Sequence, residues 1–443
     1  MTNRRDFLKK TSLTAAGLYL GSAAVGQKFM FSSKPNETIN LAIIGLNGRA
    51  YAHAESLLSC ENVKLSHICD VDSAILEKFK AYCIKTFGYT PTAEKDFRKL
   101  LENKDIDAIT IATPEHWHTP MAILALQAGK HVYVEKPCSH NLFENDLIVA
   151  AQKKYGKLVQ MGNQQRSLYT SNLAVKEIRE GIIGEAYYGK SWYSNTRGPI
   201  GFGKKIPVPA NLDWDLWQGP APREDYRDNV HPYNWHWFKT WGTGEIHNNG
   251  THEIDICRWA LGVNYPTVVN SAGGRYHGND DWQFFDTQAV TYQFEDRKTI
   301  LWEGLSCNGL KQFERGRGSI IQGTKGSILL DRDVYILYDL NGKVIKEVTE
   351  ESKGNTNTAD TKGFDMLTVS HIKNFLNGIR LNEPLNAPIY EAAISTHLCH
   401  LGNVAQFEQK SLDIDKKTGN ILDKKIMEKH WKREYQKGWE PKL

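Results

Sequence analysis

A lysine at the carboxyl edge of an apolar strand, in Val134-Glu135-Lys136-Pro137, is the side chain of this chain best placed to take a proton from a hydroxyl group. Burial disfavours the charged form of a lysine and brings its pKa down, so such a residue acts as a general base near neutrality. Beside a nicotinamide ring that receives the hydride, it completes the oxidation of an alcohol. Far downstream, Gly250-Thr251-His252-Glu253-Ile254-Asp255 offers an imidazole able to relay the proton. The competing reading of Lys136 is a bridge to Asp or Glu at a domain seam.

The nucleotide end is carried by Gly45-x-Asn47-Gly48-x-Ala50, an imperfect form of the G-x-G-x-x-G turn in which small residues let the backbone approach a pyrophosphate at a helix amino terminus. Asn47 stands where the second glycine belongs, and asparagine tolerates left-handed backbone angles better than most residues. Asp70 ends the next strand, about 25 residues after Gly45, near the spacing at which a carboxylate reaches a ribose diol. That carboxylate favours NAD, since it repels a 2′-phosphate. Arg49 in the turn itself is the alternative feature, suited to NADP, and Asp70 has a competing reading as a helix cap. A third strand ends in Thr113-Pro114-Glu115-His116-Trp117-His118, where Thr113 and His118 are candidates for the cofactor wall; a packed or capping histidine is the alternative. Glu135 joins them at the end of the fourth.

These residues need a scaffold, and its elements are legible. From Ile39 to Gly162 short apolar runs alternate with amphipathic stretches, the pattern of a Rossmann-type, doubly wound parallel sheet. After about Gln165 come β-branched and aromatic segments with period-two stretches: 186–194, 268–275, 287–294, 299–306 and 319–330. They predict an α+β domain with a large, mostly antiparallel open sheet, closed by helices over 366–376 and 390–406. Between them lies an aromatic stretch, 211–243, holding Trp214, Trp217, Trp235, Trp237 and Trp241. Indole faces stack on sugar C–H groups, so one or two of the five are expected at a carbohydrate, with Trp235 and His236 the candidates. The rest are core. The resulting domains are 39–164 for the nucleotide, 165–410 for substrate and assembly, and 411–443 as a tail.

The amino terminus has another character. Asn3-Arg4-Arg5-Asp6-Phe7-Leu8-Lys9-Lys10, followed by a mild apolar run to Val25, has the form of a twin-arginine export signal over 1–27, with 28–38 as linker. The apolar run is too short for a convincing membrane span. Expected partners are therefore the export machinery and a carbohydrate or polyol, in a periplasmic or otherwise exported protein. A net charge of +4 over 443 residues, without a long basic run, argues against nucleic acid. Seven scattered cysteines without a C-x-x-C pair suggest neither a disulfide framework nor a zinc knuckle. The residues 429–437 read as a solvated, mixed-charge tail, and the open sheet offers a face for a homo-oligomer.

Taken together, the glycine turn with Arg49, the Pro114-x-x-x-His118 step, Glu135-Lys136-Pro137 and Gly250-x-His252-x-x-Asp255 resemble the Gfo/Idh/MocA family, which includes glucose-fructose oxidoreductase and inositol dehydrogenases. The resemblance covers Ile39 to about Gln406 and implies that Lys136 and His252 work on the substrate hydroxyl. One departure stands out: many inositol dehydrogenases carry an aspartate four residues before the histidine, and this chain has Asn248, which holds a sugar hydroxyl but carries no proton. Arg166 is expected in the crevice between the domains, with a surface salt bridge as its alternative, and Asp255 is expected to cap or pair locally. No metal is assigned to the Glu245, His247, Glu253 cluster. Three functions follow: an exported NAD-linked oxidoreductase of a sugar, polyol or glycoside; a redox-neutral glycoside hydrolase or lyase that retains its NAD; and a non-catalytic sugar-binding protein.

Overall fold

A computed structural model describes residues 37–350 and 365–443; the residues expected to form an export signal, 1–27, lie outside them. The first half is a single sheet. Its elements are β1 (Ile39–Ile44), α1 (Arg49–Ser56), β2 (Val63–Cys69), α2 (Ser73–Phe87), β3 (Thr92–Glu94), α3 (Phe97–Glu102), β4 (Ala108–Ile111), α4 (His118–Gln127), β5 (His131–Val134), α5 (Leu142–Tyr155) and β6 (Val159–Met161). The six strands run parallel in the order β3-β2-β1-β4-β5-β6. Residues of β4, β5 and β6 are buried throughout, as a sheet covered on both faces requires. Strand order reverses beside β1, which opens a crevice beyond the carboxyl ends of β1 and β4.

Helix ends explain the boundaries. Asp72 caps α2 by accepting from Ala74 and Ile75 N–H, and Gly88 ends it at φ 75°. Asn141 caps α5, which stops at Gly156. Small hydrogen-bonding residues before a helix and glycine after it satisfy the unpaired backbone groups.

The second half adds α6 (Tyr169–Arg179), β7 (Ala186–Ser194), α7 (Trp214–Gln218), α8 (Thr251–Leu261), β8 (Val268–Gly274), β9 (Thr287–Gln293), β10 (Thr299–Leu305), β11 (Arg317–Gly323), β12 (Ser327–Asp331), β13 (Val334–Tyr338), β14 (Val344–Thr349), α9 (Met366–Leu381), α10 (Ile389–Glu408), β15 (Leu412–Asp413) and α11 (Lys424–Trp431). Nine strands form one sheet, β14-β13-β12-β11-β7-β10-β9-β8-β15, antiparallel except where β7 meets β10. Along β9 and β10 burial alternates residue by residue; the inner face, with Tyr292, Ile300 and Trp302, packs on Ile254 and Cys257 of α8 and Leu401 of α10.

Three expectations change. The run 319–330 is two strands, β11 and β12, paired with Gln322 opposite Ser327, because residues 323–326 turn the chain back. The nucleotide domain does not end its core near residue 164: Ile372, Phe375 and Leu376 of α9 pack with Leu41, Ile43 and Ala50 and complete it. The last residues are no solvated tail. Arg433 and Tyr435 both bond the buried Glu144 carboxylate, at 2.9 and 2.8 Å, and Trp439 packs edge-on against Trp117.

Candidate active site

One cavity of about 500 Å³ runs from the glycine turn to the amino end of α8. Gly45, Asn47, Gly48, Arg49, Asp70, Thr113, His118, Glu135, Lys136, Trp235, His236, Asn248 and His252 all line it. Arg166 does not.

At the nucleotide end, Gly45 sits at φ 83°, and a Cβ there would lie 2.7 Å from the backbone of Ala112 and Thr113. No side chain fits. Left-handed angles fall on Gly45 and Gly48, whereas Asn47 is not among the positive-φ residues, so its substitution for glycine needs no special conformation. The third small residue, Ala50, is buried in the β1/α9 core. No side chain caps the amino end of α1, whose Ala50 and Tyr51 N–H groups meet the Asn47 and Gly48 carbonyls of the turn at 3.4 and 3.2 Å, a helix terminus beside the cavity of the kind that takes an anion. A backbone cradle that excludes Cβ atoms and an uncapped helix terminus together fit the pyrophosphate of a dinucleotide.

Asp70 lies where a ribose carboxylate belongs, but both oxygens already bond backbone: Oδ2 accepts from Leu46 N–H at 2.7 Å and Oδ1 from Asp72 N–H at 2.9 Å. Burial pushes its pKa up to about 6. The cap of α2 is its neighbour Asp72. Arg49 is not free for a 2′-phosphate: its Nε donates to Glu135 Oε1 at 2.8 Å, and its other nitrogens reach Asp365 and Thr368. Glu135 in turn is spent on Arg49, on His53 Nε2 at 2.9 Å and on Gln164 at 3.1 Å. Despite burial, these partners hold its carboxyl well below the usual range. Both residues line the cavity, and their heads form a clamp at the end of β5. His118 is similar, its ring nitrogens lying 2.6 Å from Pro137 O and 2.9 Å from Thr113 O, so it braces the ends of β4 and β5. Thr113 is half-buried, with its hydroxyl turned inward.

Lys136 follows the clamp. Its Nζ donates to the Asn248 carbonyl at 2.6 Å, with the Asn248 amide oxygen at 3.4 Å. Burial lowers its pKa, opposed by Glu115 and Glu135. Asn248 lies in a π-helical turn, Ile246–Gly250, that leads directly into α8; such turns recur at functional sites. His252 stands in the first turn of α8, buried, with its pKa depressed by burial first and by Lys136 second. The imidazole is therefore neutral.

Arg166 instead forms a buried two-pronged pair with Asp255, at 2.7 and 2.8 Å, under α8. The pairing that Asp255 makes is thus long-range, where a local one was expected, and its cause is geometric: it lies three residues beyond His252, on the core side of the helix. Glu245 bonds Arg197 at 2.8 Å and Ser306 at 2.9 Å, and Glu253 bonds Arg317, so these carboxylates point to different partners. Among the five tryptophans, Trp217 and Trp235 line the cavity; Trp214 and Trp241 pack with Trp217, and Trp237 stacks on Trp282 at 4.0 Å. His236 stacks on Trp235 at 3.6 Å.

Sequence reasoning passed over Glu115, Arg197 and Tyr233, which also line the cavity. Glu115 lay inside a motif already singled out, beside Pro114. Arg197 and Tyr233 lie in irregular segments, where no period marks a direction.

Comparison with known proteins decides the family. A family model described as "Oxidoreductase family, NAD-binding Rossmann fold" matches residues 39–163, and one described as "Oxidoreductase family, C-terminal alpha/beta domain" matches residues 207–412. The chain belongs to the Gfo/Idh/MocA oxidoreductase family. As in that family, its first domain is an NAD-binding Rossmann fold, and NAD is its cofactor. Curated relatives include glycosyl hydrolase family 109 protein 1 of Shewanella sp. (strain ANA-3), 28% identical over 209 residues, and the alpha-N-acetylgalactosaminidase of Shewanella oneidensis, 27% identical over 209 residues. Each match covers 43% of this chain and 46% of the relative, so less than half of either relative is aligned. Among solved structures, the WlbA dehydrogenase of Bordetella pertussis, in complex with NADH and UDP-GlcNAcA, superposes with a TM-score of 0.64 at 16% identity, over 86% of this chain and 99% of that one. A levoglucosan dehydrogenase in complex with NADH gives 0.64 at 18%, over 86% and 100%. At such identities the likeness is one of fold.

Proposed function

We propose that this Gfo/Idh/MocA protein oxidises a hydroxyl-bearing carbon of a sugar, polyol or glycoside, with Lys136 as acid/base and His252 as relay. The observation that carries this reading is that both side chains line the cavity opened by the glycine turn, although more than a hundred residues separate them in the chain. NAD, when bound, supplies the hydride acceptor. The amine of Lys136, held by the Asn248 carbonyl and partly desolvated, takes the hydroxyl proton. His252, neutral by burial, receives or orients that proton. The Arg49, His53 and Gln164 clamp on Glu135 fixes the strand end from which Lys136 projects. Trp217, Trp235 and Asn248 serve as the apolar and polar walls for a carbohydrate. Purified protein given NAD and a panel of free sugars and polyols is expected to raise absorbance of the reduced nicotinamide with at least one; no response across the panel argues against net oxidation.

A second reading, redox-neutral cleavage of a glycoside with NAD reduced and restored in one turnover, is favoured by the names of the glycosyl hydrolase relatives. Release of nitrophenol from a panel of nitrophenyl glycosides, α-N-acetylgalactosaminide among them, without net reduction of NAD, selects it. Silence on that panel removes it.

We also propose export by the twin-arginine route, supported by Arg4-Arg5 and the apolar run that follows. Residues 1–36 fused to a reporter should direct it across the membrane, and Arg4→Lys with Arg5→Lys should abolish this; a reporter exported equally well by the double variant contradicts it.

A further inference from the structure

We propose that Glu115 is a catalytic acid that protonates the departing oxygen of a glycoside, and that the substrate is accordingly a glycoside of an ordinary alcohol, a poor leaving group. This inference rests on the redox-neutral reading. Cleavage by that route needs a proton donor besides the group that takes the hydroxyl proton, and the site holds one.

Glu115 lies just beyond the carboxyl end of β4, on the wall of the cavity that Lys136 and His252 also line. It is 2% exposed, and the Thr243 hydroxyl donates to its Oε2. Thr243 is itself fixed, for its carbonyl accepts from Asn403 Nδ2 at 2.8 Å and faces His247 Nδ1 at 3.2 Å. The other carboxylates nearby are committed to cations: Glu135 and Asp365 to Arg49, Glu245 to Arg197. Among the described residues Glu115 makes no such ion pair. A carboxyl without a direct cationic partner, in a buried wall, is the kind that retains its proton. Burial pushes its pKa up to about 7, against the pull of Lys136 and with the push of Glu245, the charged groups that face it from the end of β5 and the turn before α8. The pattern is one of carboxyls in a single cavity pushed in opposite directions, Glu135 held well below the usual range and Glu115 raised to about 7, so that it keeps its proton up to near-neutral pH.

The step balances as follows. Once a sugar carbon is a carbonyl, the adjacent C–H bond becomes acidic, and its proton passes to the neutral imidazole of His252. The electron pair of that bond forms the carbon–carbon double bond. The C–O bond to the aglycone breaks, its pair goes to oxygen, and that oxygen takes the proton of Glu115. A neutral alcohol leaves and Glu115 remains as carboxylate. Water then adds across the double bond, giving one proton back to Glu115 while its oxygen bonds the carbon the aglycone left; the adjacent carbon recovers its hydrogen from His252, and the carbonyl takes back its hydride together with the hydroxyl proton that Lys136 has held throughout.

The test compares the p-nitrophenyl and methyl glycosides of one sugar, the one cleaved in the nitrophenyl panel. Nitrophenolate leaves without help, whereas methoxide needs the acid. Glu115→Gln should lower kcat/KM for the methyl glycoside about 100-fold more than for the nitrophenyl glycoside. In the wild type, kcat/KM for the methyl glycoside should fall as pH rises through about 7, the range in which Glu115 loses its proton, and that limb should be missing with the nitrophenyl glycoside. The wild-type comparison decides the matter even if the variant does not fold. Equal losses on both substrates, or the same alkaline limb for both, overturn the role of Glu115 while leaving glycoside cleavage intact. No cleavage of any glycoside by the wild type overturns the redox-neutral reading and this inference with it.

Discussion

At the scale of single residues, the chemistry turns on which charged groups are spent and which are available. Arg49 and Glu135 neutralise each other below the sheet edge, and Arg166 and Asp255 do so beneath α8; a buried pair of this kind costs about 3–5 kcal/mol to break by truncating one partner, so these four are scaffold. Lys136 has only the Asn248 oxygens as hydrogen-bond acceptors for its amine among the described residues, and its pKa is lowered by burial. Its neutral form gains population as pH rises, so the acidic limb of kcat/KM for hydroxyl oxidation should lie below the ordinary lysine range. Lys136→Ala should cost about 10²–10⁴-fold in kcat while nicotinamide nucleotide binding, followed by fluorescence titration, stays within a few-fold. Weakened nucleotide binding with unchanged kcat would place Lys136 in cofactor retention instead. Lys136, His252, Asn248, Trp235 and His236 were all named from sequence, and all line the cavity. What the sequence hid was the partner of each head group: Arg49, Glu135 and His118 lie at the right place, and their polar atoms are bonded within the protein, Arg49 and Glu135 to each other across 86 residues and His118 to the Thr113 and Pro137 carbonyls.

Among the elements, the turn between β1 and α1 carries the tightest constraint. Gly45→Ala would set a methyl group 2.7 Å from the Ala112 and Thr113 backbone and hold an alanine at φ 83°, a conformation that costs L-residues about 1–2 kcal/mol. The β1 and β4 ends must then part. We expect NAD affinity, measured by calorimetry, to fall about tenfold or more, with the second domain unaffected; wild-type affinity would mean that the cradle is not the pyrophosphate site. Strand and helix positions in this half were readable because apolar period, caps and glycine stops agree there. In the second half the same signals located β7 to β10 but ran β11 and β12 together, since residues 323–326 turn the chain without the Asn-Gly or Asp-Gly pair that marks a hairpin. Strands β13 and β14 also escaped, the latter being half exposed and short of apolar residues.

Across the whole molecule, distant segments finish the nucleotide-binding half. Helix α9 fills its β1 face, and residues 432–443 seal its opposite side through Glu144 and Trp117. Such long-range completion has no local signature, so the segment 39–164, close to the 39–163 that the Rossmann-fold family model matches, carries no sign of the helix that packs on it from residue 366 onward. Removing residues 432–443 would leave the fully buried Glu144 carboxylate without Arg433 and Tyr435, a loss of about 3–5 kcal/mol. Thermal unfolding should shift down by several degrees, and a wild-type Tm in the truncated protein would show that the segment is dispensable. Among the described residues no helix is long and apolar enough to cross a membrane.

The most direct measurement is a crystal structure of the protein with NAD and a sugar that it turns over. The reacting hydroxyl should lie within about 3.2 Å of Lys136 Nζ, with His252 beside it and the nicotinamide stacked on the opposite side of the same carbon. A nicotinamide seated away from Lys136 and His252, or a sugar bound on another face of the molecule, would contradict the proposed chemistry.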